Sequence, residues 1–164
     1  MSEAKGMEII MIEIVVGNDV FTASNTDIVD TKIYIKSNEY YFPSQTWSDY
    51  TFPVLEEWKE NLIKIRNSED IITKLYFHDG PFWLEVYKDR YMQLKIRCQS
   101  DRNKNESNIT LYCGYYEFMN ALRNAMKSFL KVLYINNIHD GDFASIYQQT
   151  LLSIKELKQV LLYE

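Results

Sequence analysis

Residues 40–86 read YYFPSQTWSDYTFPVLEEWKENLIKIRNSEDIITKLYFHDGPFWLEV and contain all three tryptophans and all three prolines of the 164-residue chain. The pattern predicts a short strand, a proline corner, a helix over residues 53–66 and a hairpin whose turn is His78-Asp79-Gly80-Pro81. Pro53 suits the first helical turn, where its missing N–H leaves no hydrogen bond unmade. The helix would bury one apolar stripe, formed by Val54, Leu55, Trp58, Leu62 and Ile65.

Alternating apolar residues extend this hairpin into an antiparallel meander. Its four strands are predicted over residues 71–77, 82–87, 91–98 and 108–113. A loop over residues 88–90 would pair Leu84 with Leu94, whereas a shorter loop would mix apolar and charged side chains on one face. In this register the inward face carries Leu84, Val86, Leu94, Ile96 and Leu111.

The region before residue 40 predicts further strands. Residues 7–16 are apolar enough for a strand, residues 17–19 form a turn-like Gly-Asn-Asp triplet, and residues 20–23 would pair back on the first strand. In the strand that follows, Ile33 and Ile35 alternate with polar residues and would face the core.

The chain closes with two more helices, predicted over residues 115–135 and 142–162, the second with Asp142 as its N-cap. A block of strands followed by a block of helices is typical of an α+β architecture, and the length suits one core. We therefore predict a single α+β domain over residues 7–164, in which an antiparallel meander packs against about three helices, two of them C-terminal. Residues 1–6 are predicted to be a flexible tail.

The charge is uneven along the chain. Residues 1–80 carry 14 acidic and 7 basic residues, and the later residues bring the net charge to −5. Such a field repels nucleic acid and favours a basic protein partner, although an acidic surface also serves solubility alone. The candidate partner-binding residues lie on or beside the first helix and its neighbouring loops: Asp49, Glu56, Glu57, Glu60, Asp70 and Asp79.

The outward face of the predicted meander is a second candidate interface. It carries Trp83, Tyr87, Tyr91, Lys95 and Arg97. A helix covering this face is the interpretation that we favour, followed by a protein interface, where such residues concentrate. A stacking platform for single-stranded nucleic acid would also use them, but the acidic chain as a whole argues against it.

Catalytic motifs are missing from the sequence. It has no glycine-rich phosphate loop, no GxSxG elbow and no HExxH helix. His78 and His139 each begin a His-Asp-Gly triplet, which is typical of turns. Cys98 and Cys113 continue apolar alternation, which favours buried thiols over zinc ligands or nucleophiles. We expect no catalytic residue, no cofactor and no metal.

The sequence also bears on the compartment. No run of about 18 apolar residues indicates a membrane-spanning helix. Glu8 and Glu13 interrupt the apolar run near the N-terminus, unlike a signal peptide. We therefore expect a cytoplasmic protein without membrane contact.

One pattern in the central stretch resembles a known class of protein. Phe42-Pro43 precedes Trp47-x-Asp49, then come Leu55-Glu56-Glu57-Trp58 and Phe77-x-Asp79-Gly80-Pro81. This arrangement is similar to small bacterial immunity proteins of polymorphic-toxin systems. The resemblance implies an α+β fold, no catalysis, no cofactor and a protein partner, namely a cognate toxin that is neutralised by direct binding.

Two other functions stay open from the sequence. One is a small metal- or cysteine-dependent enzyme that uses His78, Asp79 and a thiol or a metal. The other is a structural or regulatory module that self-associates through its tyrosine-rich sheet face.

Overall fold

The computed structural model describes residues 11–25, 28–68, 71–102 and 109–162. In these ranges the chain forms two four-stranded antiparallel sheets and three α-helices. The fold is α+β with two C-terminal helices, as predicted. The tail predicted over residues 1–6 lies outside the described residues.

The first sheet is built around its second strand. Its strands are β1 (Ile12–Asn25), β2 (Ile28–Ser37), β3 (Tyr40–Phe42) and β4 (Ser48–Tyr50). β1 runs along one side of β2, while β3 and β4 share the other side. Ile33 and Ile35 are buried, as predicted.

The hairpin predicted around residues 17–19 is wrong. β1 continues through this triplet, and the register with β2 shifts between Val16 and Val20, so the extra residues form an irregularity instead of a turn. Gly17 allows the two strands to approach closely, because a Cβ on this residue would lie 2.9 Å from the Cβ of Lys32 on the neighbouring strand.

The second sheet is the predicted meander. Its strands are β5 (Ile71–Tyr76), β6 (Phe82–Lys88), β7 (Gln93–Ser100) and β8 (Ile109–Gly114), paired in that order. The inward face is confirmed, because all five predicted residues are buried: Leu84, Val86, Leu94, Ile96 and Leu111.

The predicted register between β6 and β7 is wrong. Leu84 pairs with Cys98 instead of Leu94. The turn is longer than expected because the Asp89 carboxylate accepts hydrogen bonds from the N–H groups of Tyr91 and Gln93, at 2.8 and 2.9 Å. The pairing moves by an even number of residues, so each side chain keeps its predicted face.

The helices are α1 (Thr51–Ile65), α2 (Tyr115–Ile135) and α3 (Ala144–Leu161). α1 begins directly after β4, and its predicted apolar stripe is buried. Asp142 is not the N-cap of α3: it lies in a 3-10 turn, and Phe143 holds the N-cap position. None of these described helices has the length and apolarity needed to cross a bilayer.

Aromatic rings join the two sheets at the central stretch. Phe82 packs edge-on against Trp47 and Phe42, with ring centroids 5.0 and 5.7 Å away. Phe77 packs in the same way against Phe42 and the buried Trp58 of α1. The continuous buried cluster draws side chains from both sheets and all three helices.

The burial of the meander's inner face predicts a stability difference between its two faces. Replacing Leu84, which is fully buried, by Ala should lower the free energy of unfolding by about 2–4 kcal/mol, because the cavity cannot fully collapse. Ile72→Ala, on the exposed face of the same sheet, should lower it by less than about 1 kcal/mol. Urea unfolding of both variants measures the difference, and equal losses would contradict the assignment of faces.

Candidate functional site

Asp49, the first of the predicted partner-binding residues, lies in the interior. Only 1% of it is exposed. One carboxylate oxygen accepts hydrogen bonds from the N–H groups of Tyr50 and Asp79, at 2.8 and 3.1 Å. The other accepts from the Trp47 indole at 3.1 Å and from the N–H of His78 at 2.9 Å. Burial raises the pKa of Asp49, and these donors offset part of that effect. Its role as a surface contact for a partner is therefore wrong.

The His-Asp-Gly triplet at residue 78 is a turn, as predicted. Gly80 has φ +147°, and a Cβ there would lie 2.6 Å from the Trp47 ring. No other residue fits this conformation and this contact together. The His78 side chain lies outside the turn, with its Nε2 2.8 Å from a carboxylate oxygen of Glu57. Backbone geometry thus explains the triplet without any chemistry of the imidazole.

Glu56 and Glu60 lie around a buried cation. Lys59 is 2% exposed, and its Nζ is 2.7 Å from both Glu56 and Glu156 and 3.4 Å from Glu60. Ser153 donates a further hydrogen bond to Glu56. Burial alone would lower the pKa of Lys59, but hydrogen bonds from its ammonium group to Glu156 and Glu56 raise it above the usual value. Glu56 therefore links α1 to α3 through its contacts with Lys59 and Ser153, and its charge is not free on the surface.

The predicted acidic surface is thus reduced. Glu57, Glu60 and Asp79 remain on the outside. Asp70 lies outside the described residues. The binding of a basic partner at this side stays a prediction, carried by fewer residues than the sequence indicated.

No element within the described residues covers the outward side of the second sheet. We call the outward-pointing residues of β5–β8 the open face. Strand pairing arranges them in three rows across the sheet. The rows are Ile72, Tyr87, Lys95 and Tyr112; Lys74, Glu85, Arg97 and Thr110; and Tyr76, Trp83 and Gln99. Because the described part of the chain leaves these side chains exposed or half-buried, the helix expected to cover them is absent there, and that interpretation is wrong.

The open face combines aromatic rings with positive charge. Ile72 and Tyr112 are 60% and 58% exposed. The Lys74 ammonium lies 5.9 Å from the ring centre of Trp83, within the range of a cation–π contact. Arg97 lies 3.6 Å from Glu85, beyond hydrogen-bond distance. The charged residues of the three rows are Lys74, Lys95, Arg97 and Glu85, so the open face is net positive on a chain of net charge −5.

A shallow depression lies near the middle of the open face. Its volume is about 280 Å³, and it is lined by Ile72, Glu85, Tyr87, Lys95 and Arg97. Three of these five residues were predicted as the alternative interface. Trp83 belongs to the neighbouring row, but Tyr91 does not join the face, because it lies in the turn between β6 and β7.

Sequence reasoning missed the contribution of the outer strands to the open face. Ile72, Lys74 and Tyr76 of β5 and Tyr112 of β8 extend it to both edges of the sheet. The same period-two alternation that assigned faces on β6 and β7 would have found them.

The residues proposed for an enzyme have no suitable arrangement. Both cysteines are buried, and burial raises the pKa of each thiol to about 12, so both are protonated at neutral pH. The His139 ring packs against Tyr134 at 4.6 Å and Tyr147 at 6.0 Å. Within the described ranges, no three His, Cys, Asp or Glu residues group closely enough to hold a metal ion.

The buried thiols predict a pH dependence of stability. Unfolded thiols ionise near pH 9.0, whereas the folded ones resist ionisation until about pH 12. The folded state therefore holds more protons in this window, and the free energy of unfolding should fall as the pH rises from about 9 towards 12. Under reducing conditions, Cys98→Val with Cys113→Val should give a shallower slope. The raised pKa of the buried Tyr115 acts on both proteins alike. Identical slopes would show that the thiols are not buried as described.

The comparisons with known proteins give no match: no family model matches the chain, and the searches of curated proteins and of solved structures return no similar protein.

Proposed function

We propose that this chain is a non-catalytic protein-binding protein, an immunity-type inhibitor that neutralises a cognate bacterial toxin, and that the open face is its interface. The observation that carries the proposal is a set of rows of exposed and half-buried aromatic side chains, together with Arg97, on a sheet face that no described element covers. Tyr, Trp and Arg are enriched at protein interfaces and supply most of their hot spots. The immunity role itself rests on the resemblance of the central stretch.

The packing of the sheet supports binding through side chains. β5 is an edge strand, but α1 covers its outer edge: the Trp58 indole donates to the Tyr76 carbonyl at 2.8 Å, and the Asn61 amide to the Lys74 carbonyl at 3.4 Å. A partner therefore finds few free backbone groups at this edge, while the adjoining face offers rings and charges.

The competing functions are less well supported. An enzyme based on thiols would need an ionised, accessible sulfur, which buried Cys98 and Cys113 do not provide. Self-association through the open face would bring two net positive surfaces together. Each of these functions therefore requires an interaction that the described geometry opposes.

The first experiment tests the binding role. The gene next to this one is expressed alone and together with this chain, and growth and complex formation are measured. We expect the neighbouring product to inhibit growth, and co-expression to restore it through a stable complex. A neighbouring product that is harmless, or that does not bind, would contradict the inhibitor function.

Variants of that complex locate the interface. Trp83→Ala with Tyr112→Ala removes two aromatic rings from the open face. The double variant should therefore bind at least tenfold more weakly, a loss of about 1.4 kcal/mol or more of binding free energy. Tyr134→Ala is the matched control, since this tyrosine is 61% exposed on α2. Calorimetry measures the dissociation constants. If the double variant binds as tightly as the control, the interface lies elsewhere.

The acidic side needs a separate test. Glu57→Lys with Asp79→Lys reverses two charges on the outside and leaves the contacts of Glu56 and Glu60 to the buried Lys59 intact. If the open face is the interface, the dissociation constant should change less than about threefold, because exposed ion pairs contribute little to stability and these residues lie off the face. A tenfold weakening, with an unchanged melting temperature, would assign the interface to the acidic side.

A further inference from the structure

We infer that the partner surface is acidic where it meets the open face, and that one of its carboxylates binds in the depression between Lys95 and Arg97. This inference rests on the proposed function and specifies the chemistry of the partner. It departs from the basic partner predicted from the sequence, because the charges that face the partner are those of the surface and not those of the whole chain.

Lys95 is the first reason. Lys95 lies on β7, and its neighbours on the two adjacent strands are Tyr87 on β6 and Tyr112 on β8. Neither carries a negative charge, and Lys95 forms no ion pair with any described residue. Within the described ranges the Lys95 ammonium group therefore has no carboxylate in ion-pair contact, and a carboxylate from outside could supply one.

Arg97 is the second reason. It lies two residues from Lys95 on the same face of β7, about 7 Å away along the strand. Its only ion-pair contact among the described residues is the 3.6 Å approach to Glu85, which is too long for a hydrogen bond. The guanidinium carries five N–H donors in a planar fork, so it can hold a second carboxylate in bidentate geometry.

The walls of the depression strengthen such a contact. Ile72 and Tyr87 line it beside the two cations and Glu85. A partner that covers these apolar groups removes water from the charges, and the attraction between opposite charges grows as the local dielectric constant falls. The gain requires that the carboxylate reach both cations, since an unpaired charge in a covered interface is unfavourable.

A carboxylate side chain fits this arrangement better than a nucleic acid. Glu85 lies in the central row between Lys74 and Arg97. Glu85 also lines the depression, so its two cations and one carboxylate leave a net charge of +1 there, which a single carboxylate neutralises and a chain of phosphates exceeds. The negative net charge of the whole chain adds to the repulsion of a polyanion with closely spaced phosphates.

The test uses defined probes on the intact chain. The ¹⁵N-labelled protein is titrated with poly-L-glutamate, with poly-L-lysine of the same length and with single-stranded (dT)12. We expect saturable amide shifts at Tyr87, Lys95 and Arg97 with poly-L-glutamate, weakening as salt rises from about 0.05 to 0.5 M. No shifts in this region with poly-L-glutamate, or stronger binding of poly-L-lysine or (dT)12 to it, would overturn the inference.

Charge variants complete the test. Lys95→Glu with Arg97→Glu should weaken poly-L-glutamate binding at least tenfold, and Lys95→Gln with Arg97→Gln should weaken it by less. The control is Lys127→Glu with Lys131→Glu, which makes the same change in net charge at exposed positions of α2 and should change binding less than threefold. Equal weakening by the control would reduce the effect to net charge and overturn the inference.

The two proposals fail in different ways. If Trp83→Ala with Tyr112→Ala disrupts the complex with the neighbouring gene product but Lys95→Glu with Arg97→Glu does not, the interface stands and the acidic partner is wrong. If no complex forms, the proposed function fails, and the probe titration still decides whether the depression binds carboxylates.

Discussion

The carboxylate of Asp49 holds the two sheets together. It is buried, and it accepts hydrogen bonds from Trp47, Tyr50, His78 and Asp79. A buried carboxylate without partners would be strongly destabilising, so four N–H donors are what makes its position tolerable. Because β4 belongs to the first sheet and residues 78 and 79 begin the turn between β5 and β6, this side chain joins the two sheets beside the aromatic contacts between Phe42, Phe77 and Phe82.

The position of the turn determines which side of the second sheet is free. Trp47 packs over Gly80 at a distance that leaves no room for a side chain, and Phe82 packs on Trp47 directly after the turn. The inner face of the meander then meets the helices, and α1 satisfies carbonyl groups along the edge of β5. The open face remains as the broad uncovered side of this sheet in the described chain. Its exposure therefore follows from the way in which the sheet is anchored.

Local patterns predicted the faces of the meander but not its register. Alternation assigns Leu84 and Leu94 to the core whatever the length of the turn, provided that the pairing moves by an even number of residues. The length of the turn depends on the Asp89 carboxylate, which accepts two backbone hydrogen bonds. Alternation carries no information about that side chain. The turn predicted at Gly17 is wrong for a similar reason, because the close approach of Lys32 on the neighbouring strand is what requires a glycine there.

The candidate site was harder to predict because charge along a sequence is not charge on a surface. Asp49 is counted as acidic in the sequence, yet the fold buries it. Lys59 forms ion pairs with Glu56 of its own helix and with Glu156 of α3. Lys95 and Arg97 are separated from Lys74 by about twenty residues, and only strand pairing brings them onto one face. The acidic average of the chain thus conceals a net positive sheet face. Positive side chains around exposed rings keep such a patch compatible with water in the free protein, and they exclude partners of the same charge. Under the proposed function, the side chains that keep the open face compatible with water are therefore also those that select its partner.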